Sequence, residues 1–275
     1  IPRQAQLAEF AEAMAFTDLV FRPGQKGRRI VQRQYPHAYR DEAAYAQRLL
    51  IVRDAGAIVG CMAVHPMTVR LGAARVRAGG VGIVGTHPDR RGEGIMTRML
   101  EAAIARMDRA GCALSVLGGD RQRYGHFGWE NGGVRTVFHV TARSLGAPSP
   151  AERRLHLERL EHTVDAALCR RIHRLAAARP YAVDRSLGDI HPLLVRDGKQ
   201  AWTCRDGRRF AYLVAGGPQR RARPYDAVHE FGGDADLALG MLRRLLPRAG
   251  ERAHGERAQL SVIAGPDQVG LLRGV

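Results

Sequence analysis

The chain has 275 residues, of which 45% are apolar and 25% charged, and it carries a formal net charge of +16. That length allows one large domain or two ordinary ones, and two is the expectation; no stretch reaches the roughly 20 consecutive apolar residues that a membrane-spanning helix requires. Of the 43 basic residues all but Lys26 and Lys199 are Arg, and they are spread along the chain. Such a distribution reflects a preference for Arg more than one face built for phosphates, so a basic nucleic-acid-binding module is the weakest of the readings considered.

Cys61, Cys112, Cys169 and Cys204 lie far apart, without the paired spacing of metal sites, and read as reduced core residues. No metal site is expected. No charged-then-apolar leader opens the sequence, which makes the cytoplasm the default location, although the abrupt start leaves room for a preceding segment.

In chain order, Leu7, Phe10, Ala11 and Met14 recur at helical spacing within Ala5 to Phe16. Asp41 is placed to cap a short second helix through Tyr45. Strand patterns follow at Leu49 to Arg53, Ile58 to Val69 and Val81 to Thr86, separated by turns at Asp54-Ala55-Gly56 and near Gly72. This is an antiparallel meander. Ile95, Met96, Met99, Leu100, Ala103, Ile104 and Met107 then form one apolar stripe, with Arg106 and Arg109 in the last turn and Gly111 where a C-cap belongs. Cys112 to Leu117 reads as a buried strand and Val134 to Thr141 as a half-buried one.

Ala142 to Pro150 loses periodicity and gains Pro, Gly and Ser, so the domain boundary is placed there, giving domains 1–145 and 146–275. The second half repeats the order of the first. A helix contains Val164, Leu168, Ile172 and Leu175; strands are expected at Ala201 to Cys204, Phe210 to Val214 and Ala227 to Phe231. A helix from Leu237 to Leu246 and a strand from Ala258 to Ile263 complete it.

The chemistry concentrates at His87 to Met96, HPDRRGEGIM. A strand that passes through glycines into a helix N-terminus exposes unpaired N–H groups beside the positive end of the helix dipole, which suits a pyrophosphate. Gly92 and Gly94 permit close approach, Pro88 sets the turn, and Arg90 and Arg91 add positive charge. Two glycines in a plain strand-to-helix turn would explain the loop equally well in isolation. It is neither a Walker loop, lacking Gly-Lys-Ser/Thr, nor a dinucleotide fingerprint, lacking GxGxxG after a parallel strand.

A second constellation, GGDRQRYGHFGW from Gly118 to Trp129, directly follows the strand ending at Leu117. A tyrosine hydroxyl held in such a segment can act as a general acid toward a leaving group. Phe127 and Trp129 read as packing residues; Tyr124 reads as catalytic.

Arg91-x-x-Gly94-x-Met96, after a strand and a Pro and opening a long amphipathic helix, resembles the acetyl-CoA motif Arg/Gln-x-x-Gly-x-Gly/Ala of the GNAT acetyltransferases. Met96 stands where Gly or Ala is usual, a departure shared by the tandem-GNAT branch similar to the enhanced intracellular survival (Eis) proteins. The Tyr-Gly-x-Phe-Gly-aromatic segment at Tyr124 is similar to theirs too. The resemblance implies an α/β chain: a GNAT fold, with a mixed, mostly antiparallel central sheet flanked by helices, followed by a second, degenerate GNAT-like domain that shapes the acceptor side. It implies acetyl-CoA as co-substrate, held by the backbone of Ile83, Val84 and Gly85 and by Arg91, Gly92, Glu93, Gly94, Ile95 and Met96, with Gly119 and Asp120 as further contacts and Tyr124 as general acid.

The same resemblance implies a third, sterol-carrier-like domain whose terminal carboxylate is the base; the sequence stops at Val275 without it. Near the loop His87, Asp120, His126 and Glu130 are available, and none is singled out. In the second half the position of the cofactor loop is taken by Gly232-Gly233-Asp234-Ala235-Asp236, whose acidic residues would repel a pyrophosphate, so only the first half is expected to bind acetyl-CoA. The expected partner is an amine, on a small molecule or a lysine, with no specific nucleic acid and no membrane; a homo-oligomer is left open. The competing reading is a non-enzymatic acetyl-CoA-binding or regulatory protein.

Overall fold

The computed structural model describes residues 1–25, 29–134, 136–160, 165–196, 198–216, 227–246 and 259–269. These divide into two compact units, Ile1–Gly132 and Gly133–Val275.

In the first unit, β1 (Arg3–Gln4) precedes a 3-10 turn at Leu7–Glu9 and the helix α1 (Phe10–Phe21). The helix begins later than its periodicity suggests, because Arg3 and Gln4 pair with Ile51 and Leu50 and the Ala5 amide donates to the Leu49 carbonyl. A helix missed in the sequence, α2 (Ile30–Gln34), has no capping side chain of its own. The Asp18 carboxylate of α1 accepts from its Ile30 and Val31 amides at 2.7 and 2.9 Å, a long-range substitute for an N-cap. Asp41 does not cap α3 (Ala43–Ala46); Glu42 occupies that position without a side-chain cap, and Asp41 pairs with Arg29.

The meander consists of β2 (Leu49–Asp54), β3 (Ala57–Leu71) and β4 (Ala74–Thr86). Strand β4 starts well before Val81. Its first half pairs with β3 from Leu71↔Ala74 onward, and the exposed Arg75 and Arg77 disguise it as a loop. After α4 (Ile95–Arg109), Gly111 adopts φ 66° and turns the chain into β5 (Leu114–Leu117). The sheet order is β1-β2-β3-β4-β5, with β4 and β5 parallel and the other neighbours antiparallel. Strand β5 is not the buried strand expected: it lies at the end of this order and Val116 is exposed.

One face of the sheet buries Phe10, Met14, Tyr39, Leu49, Ile51 and Cys61 with α1. The other buries Leu50, Met62, Val64 and Val81 against the Ile95, Met99, Leu100, Ala103 and Met107 stripe of α4. The short helix α5 (Arg121–Tyr124) and a 3-10 turn at Gly125–Phe127 end the unit.

The second unit opens with β6 (Thr136–Thr141), followed by the short helices α6 (Ala142–Leu145) and α7 (Pro150–Arg154), β7 (Leu157–Arg159), α8 (Ala166–Ala177), β8 (Tyr181–Val183) and α9 (Leu187–Leu194). Then come β9 (Gln200–Asp206), β10 (Arg209–Gly216), β11 (Ala227–Gly233), α10 (Ala235–Leu245) and β12 (Gln259–Ala264). Its sheet runs β6-β12-β11-β10-β9-β7, parallel only between β11 and β12.

The boundary therefore lies upstream of the 142–150 linker predicted from composition. Thr136–Thr141 has the right pattern for a strand, but its ladder partner is β12, so it belongs to the second core; Pro, Gly and Ser at 142–150 serve two capped helical turns instead of a linker. Val164 and Ala258, taken as parts of a helix and a strand, lie outside the described residues. Of the four thiols three are buried and Cys112 is half-buried, and all are free. Among the described residues no helix is long and apolar enough to cross a membrane.

Candidate active site

Strand β4 carries the construction. It pairs with β3 through Thr86 but with β5 only as far as Val81↔Leu117, so from Gly82 to Thr86 its second edge has no ladder partner among the described residues. A register shift between Cys61 and Ala63 marks a bulge, since Gly82 pairs with Ala63 and Gly85 with Cys61, leaving Ile83 and Val84 opposite Met62.

The bulge re-phases the strand. Gly79 and Val81 face α4, Gly80 and Gly82 face the α1 side, and after it Val84 packs with the α4 core while Gly85 faces Val20 and Phe21 of α1. At the bulge Ile83 holds φ 46°, a left-handed value that a β-branched residue adopts only where surrounding structure enforces it. Ile83, Val84 and Gly85 thus lie together along a strand edge that has no ladder partner among the described residues.

Beyond Thr86, the 3-10 turn Pro88–Arg90 leads through Gly92 at φ 86° and Gly94 at φ 70° into α4. Those φ values require glycine more than any other residue. Gly94 occupies the N-cap without a side chain, and Arg98 is the first residue whose amide bonds back into the helix, to the Gly94 carbonyl. The N–H groups of Ile95, Met96 and Thr97 have no carbonyl four residues back to bond, which makes this an anion-accepting helix start.

The two arginines of the loop differ. Arg90 does not add free charge: its guanidinium bonds Asp54 of the β2–β3 turn at 2.5 Å and Glu93 at 2.6 and 2.8 Å, so it ties the loop to the hairpin. These carboxylates raise its pKa further, the Glu93 hydrogen bond being the largest cause, and Glu93 is lowered in return. Arg91 has no hydrogen bond or ion pair among the described residues and remains available for a phosphate. The Glu93 side chain is engaged, so its contribution to a ligand would come through the backbone.

Tyr124 follows the end of β5. Asp120 caps its short helix by accepting from the Gln122 amide at 2.9 Å, and the Tyr124 amide donates to the Asp120 carbonyl. The ring is buried, edge-on to Trp129 with centroids 6.3 Å apart, and Trp129 donates to Ser115 Oγ at 3.2 Å. Gly119 is required by the same packing, because a Cβ there would lie 2.4 Å from the Tyr124 ring. Burial pushes the Tyr124 hydroxyl above its ordinary pKa, partly opposed by Arg123, so it is protonated at neutral pH.

Among the base candidates, Glu130 is paired with Arg121 at 2.6 Å and Asp120 serves as a cap; His87 accepts from the Asp89 amide at 3.3 Å. Sequence reasoning missed a pair on the α1 side of the sheet: Tyr39 Oη and His65 Nε2, 3.4 Å apart beside Gly82. No motif announces them, since Tyr39 lies in an irregular stretch and His65 reads as one residue of a long strand. Among the described residues no group of three or more His, Cys, Asp or Glu is placed to hold a metal.

Residues 2–132 match the family model described as Acetyltransferase (GNAT) domain. The match falls within the first unit, which accordingly has the character of a GNAT domain. Solved structures extend the likeness over nearly the whole chain. A GCN5-related N-acetyltransferase from Kribbella flavida aligns at TM-score 0.67 and 19% identity, over 99% of this chain and 66% of that one. One from Anabaena variabilis ATCC 29413 aligns at TM-score 0.70 and 15% identity, over 97% and 66%.

Eis1 from Mycobacterium abscessus aligns at TM-score 0.61 and 14% identity, over 95% of this chain and 65% of that one. At these identities the likeness concerns fold alone, and the chain spans about two thirds of the length of those proteins. No curated protein matches by sequence.

Proposed function

We propose that the protein is an N-acetyltransferase that moves an acetyl group directly from acetyl-CoA to a primary amine of a small molecule or a lysine. The observation that carries this reading is the combination in one unit of an open β4 edge at Gly82–Thr86 and an uncapped, glycine-fed N-terminus of α4. The first suits the amide groups of a pantetheine arm, to Ile83, Val84 and Gly85; the second, with Arg91, suits a pyrophosphate across Gly92 to Met96. Gly119 and Asp120, which follow the end of β5, are proposed as further contacts. The second unit is proposed to bind no acetyl-CoA.

In the transfer the amine nitrogen attacks the thioester carbon, the C–N bond forms, the C–S bond breaks, and the thiolate takes a proton from the Tyr124 hydroxyl, while the proton lost by nitrogen to a base is returned to the Tyr124 phenolate. A buried, protonated tyrosine beside a departing thiolate is suited to that step.

The test is CoA release with a panel of amines, combined with calorimetric binding of acetyl-CoA. Tyr124→Phe is expected to lower kcat by about 100-fold, the low end of general-acid contributions, with the dissociation constant of acetyl-CoA unchanged. Normal turnover of Tyr124→Phe removes the acid assignment. Tight acetyl-CoA binding without amine-dependent CoA release supports the non-enzymatic reading instead.

A further inference from the structure

The face of β4 opposite Tyr124 holds a polar pair that the reaction as written leaves unused. Tyr39, 5% exposed, lies between α2 and α3, and His65 stands on β3, on the face opposite Val64. Their rings meet edge to face with centroids 5.3 Å apart. Both polar atoms converge on one point of β4: a Cβ at Gly82 would be 3.4 Å from Tyr39 Oη and 3.9 Å from His65 Nε2.

Gly82 is the first residue after β4 parts from β5, and its neighbour is the strained Ile83. Both polar atoms therefore stand within ordinary contact distance of a Cβ placed at this point of the strand. At 3.4 Å their mutual hydrogen bond is at the outer limit of such contacts, which leaves the hydroxyl capacity for a second partner.

We propose that Tyr39 and His65 form the relay that receives the proton of the attacking amine, on the side of the sheet opposite the Tyr124 acid. The inference rests on the acetyl-transfer reading above. The amine N–H donates to Tyr39 Oη, and Tyr39 donates to His65 Nε2. As the C–N bond forms and the C–S bond breaks, the nitrogen loses its proton to Tyr39 Oη while the Tyr39 proton passes to His65 Nε2; the Tyr124 proton goes to sulfur. Water then returns the His65 proton to the Tyr124 phenolate, and the products are the amide and CoA thiol.

The charged and titratable groups facing His65 are Tyr39 and Arg48, whose carbonyl accepts from the Val64 amide and whose guanidinium stacks 3.9 Å over the Tyr45 ring. Burial first, and Arg48 second, hold the imidazole at a pKa of about 4, so it is neutral and able to accept at neutral pH. A base this weak is adequate for a late proton. Once nitrogen becomes part of the nascent amide, its protonated form is far more acidic than an ammonium ion.

The experiment uses the amine that the wild type acetylates fastest, and the isosteric Tyr39→Phe together with His65→Gln, which keeps a hydrogen-bond acceptor but cannot hold the proton. Each variant is expected to lose about tenfold or more in kcat, with acetyl-CoA affinity by calorimetry within twofold of wild type. In protein labelled with 13C at histidine Cε1, acetyl-CoA is expected to move the His65 resonance, assigned by its absence in His65→Gln. Turnover within twofold of wild type in both variants, or a His65 resonance unmoved by bound acetyl-CoA, overturns the relay and leaves acetyl transfer standing. A wild type that binds acetyl-CoA but releases no CoA with any amine overturns both.

Discussion

The two strand-to-helix junctions of this chain, β4 to α4 and β11 to α10, occupy equivalent places in their sheets and have been built to opposite ends. Each strand lies between an antiparallel partner and a parallel one. At the first, His87 to Gly94 separate strand from helix, and the helix start has no capping side chain. At the second, Asp234 alone separates Gly233 from Ala235, and its carboxylate accepts from the Leu237 amide at 3.0 Å while bonding Arg209 at 2.7 and 3.0 Å.

A helix that supplies its own anion has less need of a ligand's. Gly233 is pressed so closely on β10 that a Cβ would meet the Phe210 carbonyl, which excludes a looping detour.

The strand edges show the same contrast. Past the last β11–β12 pair, Val228↔Val262, the Gln268 amide donates to the Phe231 carbonyl at 2.7 Å. On the α8–α9 face Glu230 accepts from Tyr212 Oη at 2.8 Å and from Arg185 at 2.8 and 2.9 Å. Burial opposes ionisation of Glu230, yet these partners hold its pKa below the ordinary value. The second unit spends its polar groups on itself. Among the described residues the first leaves the Gly82–Thr86 edge, the α4 amides and Arg91 uncommitted, and these are the groups proposed above to hold acetyl-CoA.

That contrast can be broken from either side. The largest effect is expected from Arg185→Ala, which takes from a buried carboxylate its ion-pair partner; about 3 kcal/mol of stability, the low end for breaking a buried ion pair, should be lost, read as a lower denaturant midpoint at unchanged slope. An unchanged midpoint would mean that the network does not hold the second core.

Gly94→Val comes next. A β-branched residue at φ 70° costs about 1–3 kcal/mol, so acetyl-CoA should bind roughly tenfold more weakly, and calorimetry should show one molecule per wild-type chain. Two per chain would refute the closed second junction.

Arg90→Ala frees Asp54 and Glu93 near the phosphates and unties the loop. Because these groups are largely exposed and screened by solvent, the expected change is only a few-fold in KM for acetyl-CoA, with kcat preserved.

The smallest effect concerns acid. The Arg209 hydrogen bond, with the Leu237 amide, holds Asp234 at a pKa of about 2, below the ordinary carboxylate value. Its contribution is therefore present above that ordinary value and is lost as pH falls toward 2. Asp234→Asn should flatten the acid limb of the stability profile slightly, and an unchanged limb would show that Asp234 is not held low.

Much of the first unit was legible in the sequence. The α4 stripe, Gly92 and Gly94, the β2–β3 hairpin and the segment around Tyr124 are local patterns, in which each residue's role follows from its near neighbours. What failed depended on distant partners. Asp18 substitutes for a cap of α2, Arg3 and Gln4 become a strand because β2 is there to pair, and Arg90 finds Asp54 across the fold. Thr136–Thr141 was recognised as a strand but assigned to the wrong core, since strand propensity says nothing about which sheet will accept the ladder.

By itself, then, the sequence determined where the glycine-fed helix begins, because positive φ and an amphipathic stripe are written in consecutive residues. Only the tertiary structure decided that Arg90 is engaged while Arg91 has no partner among the described residues, that β4 parts from β5 at Gly82, and that Tyr39 and His65 meet beside that point. These are meetings of residues far apart in the chain. No local period encodes them, and they exist only once the sheet has fixed its register.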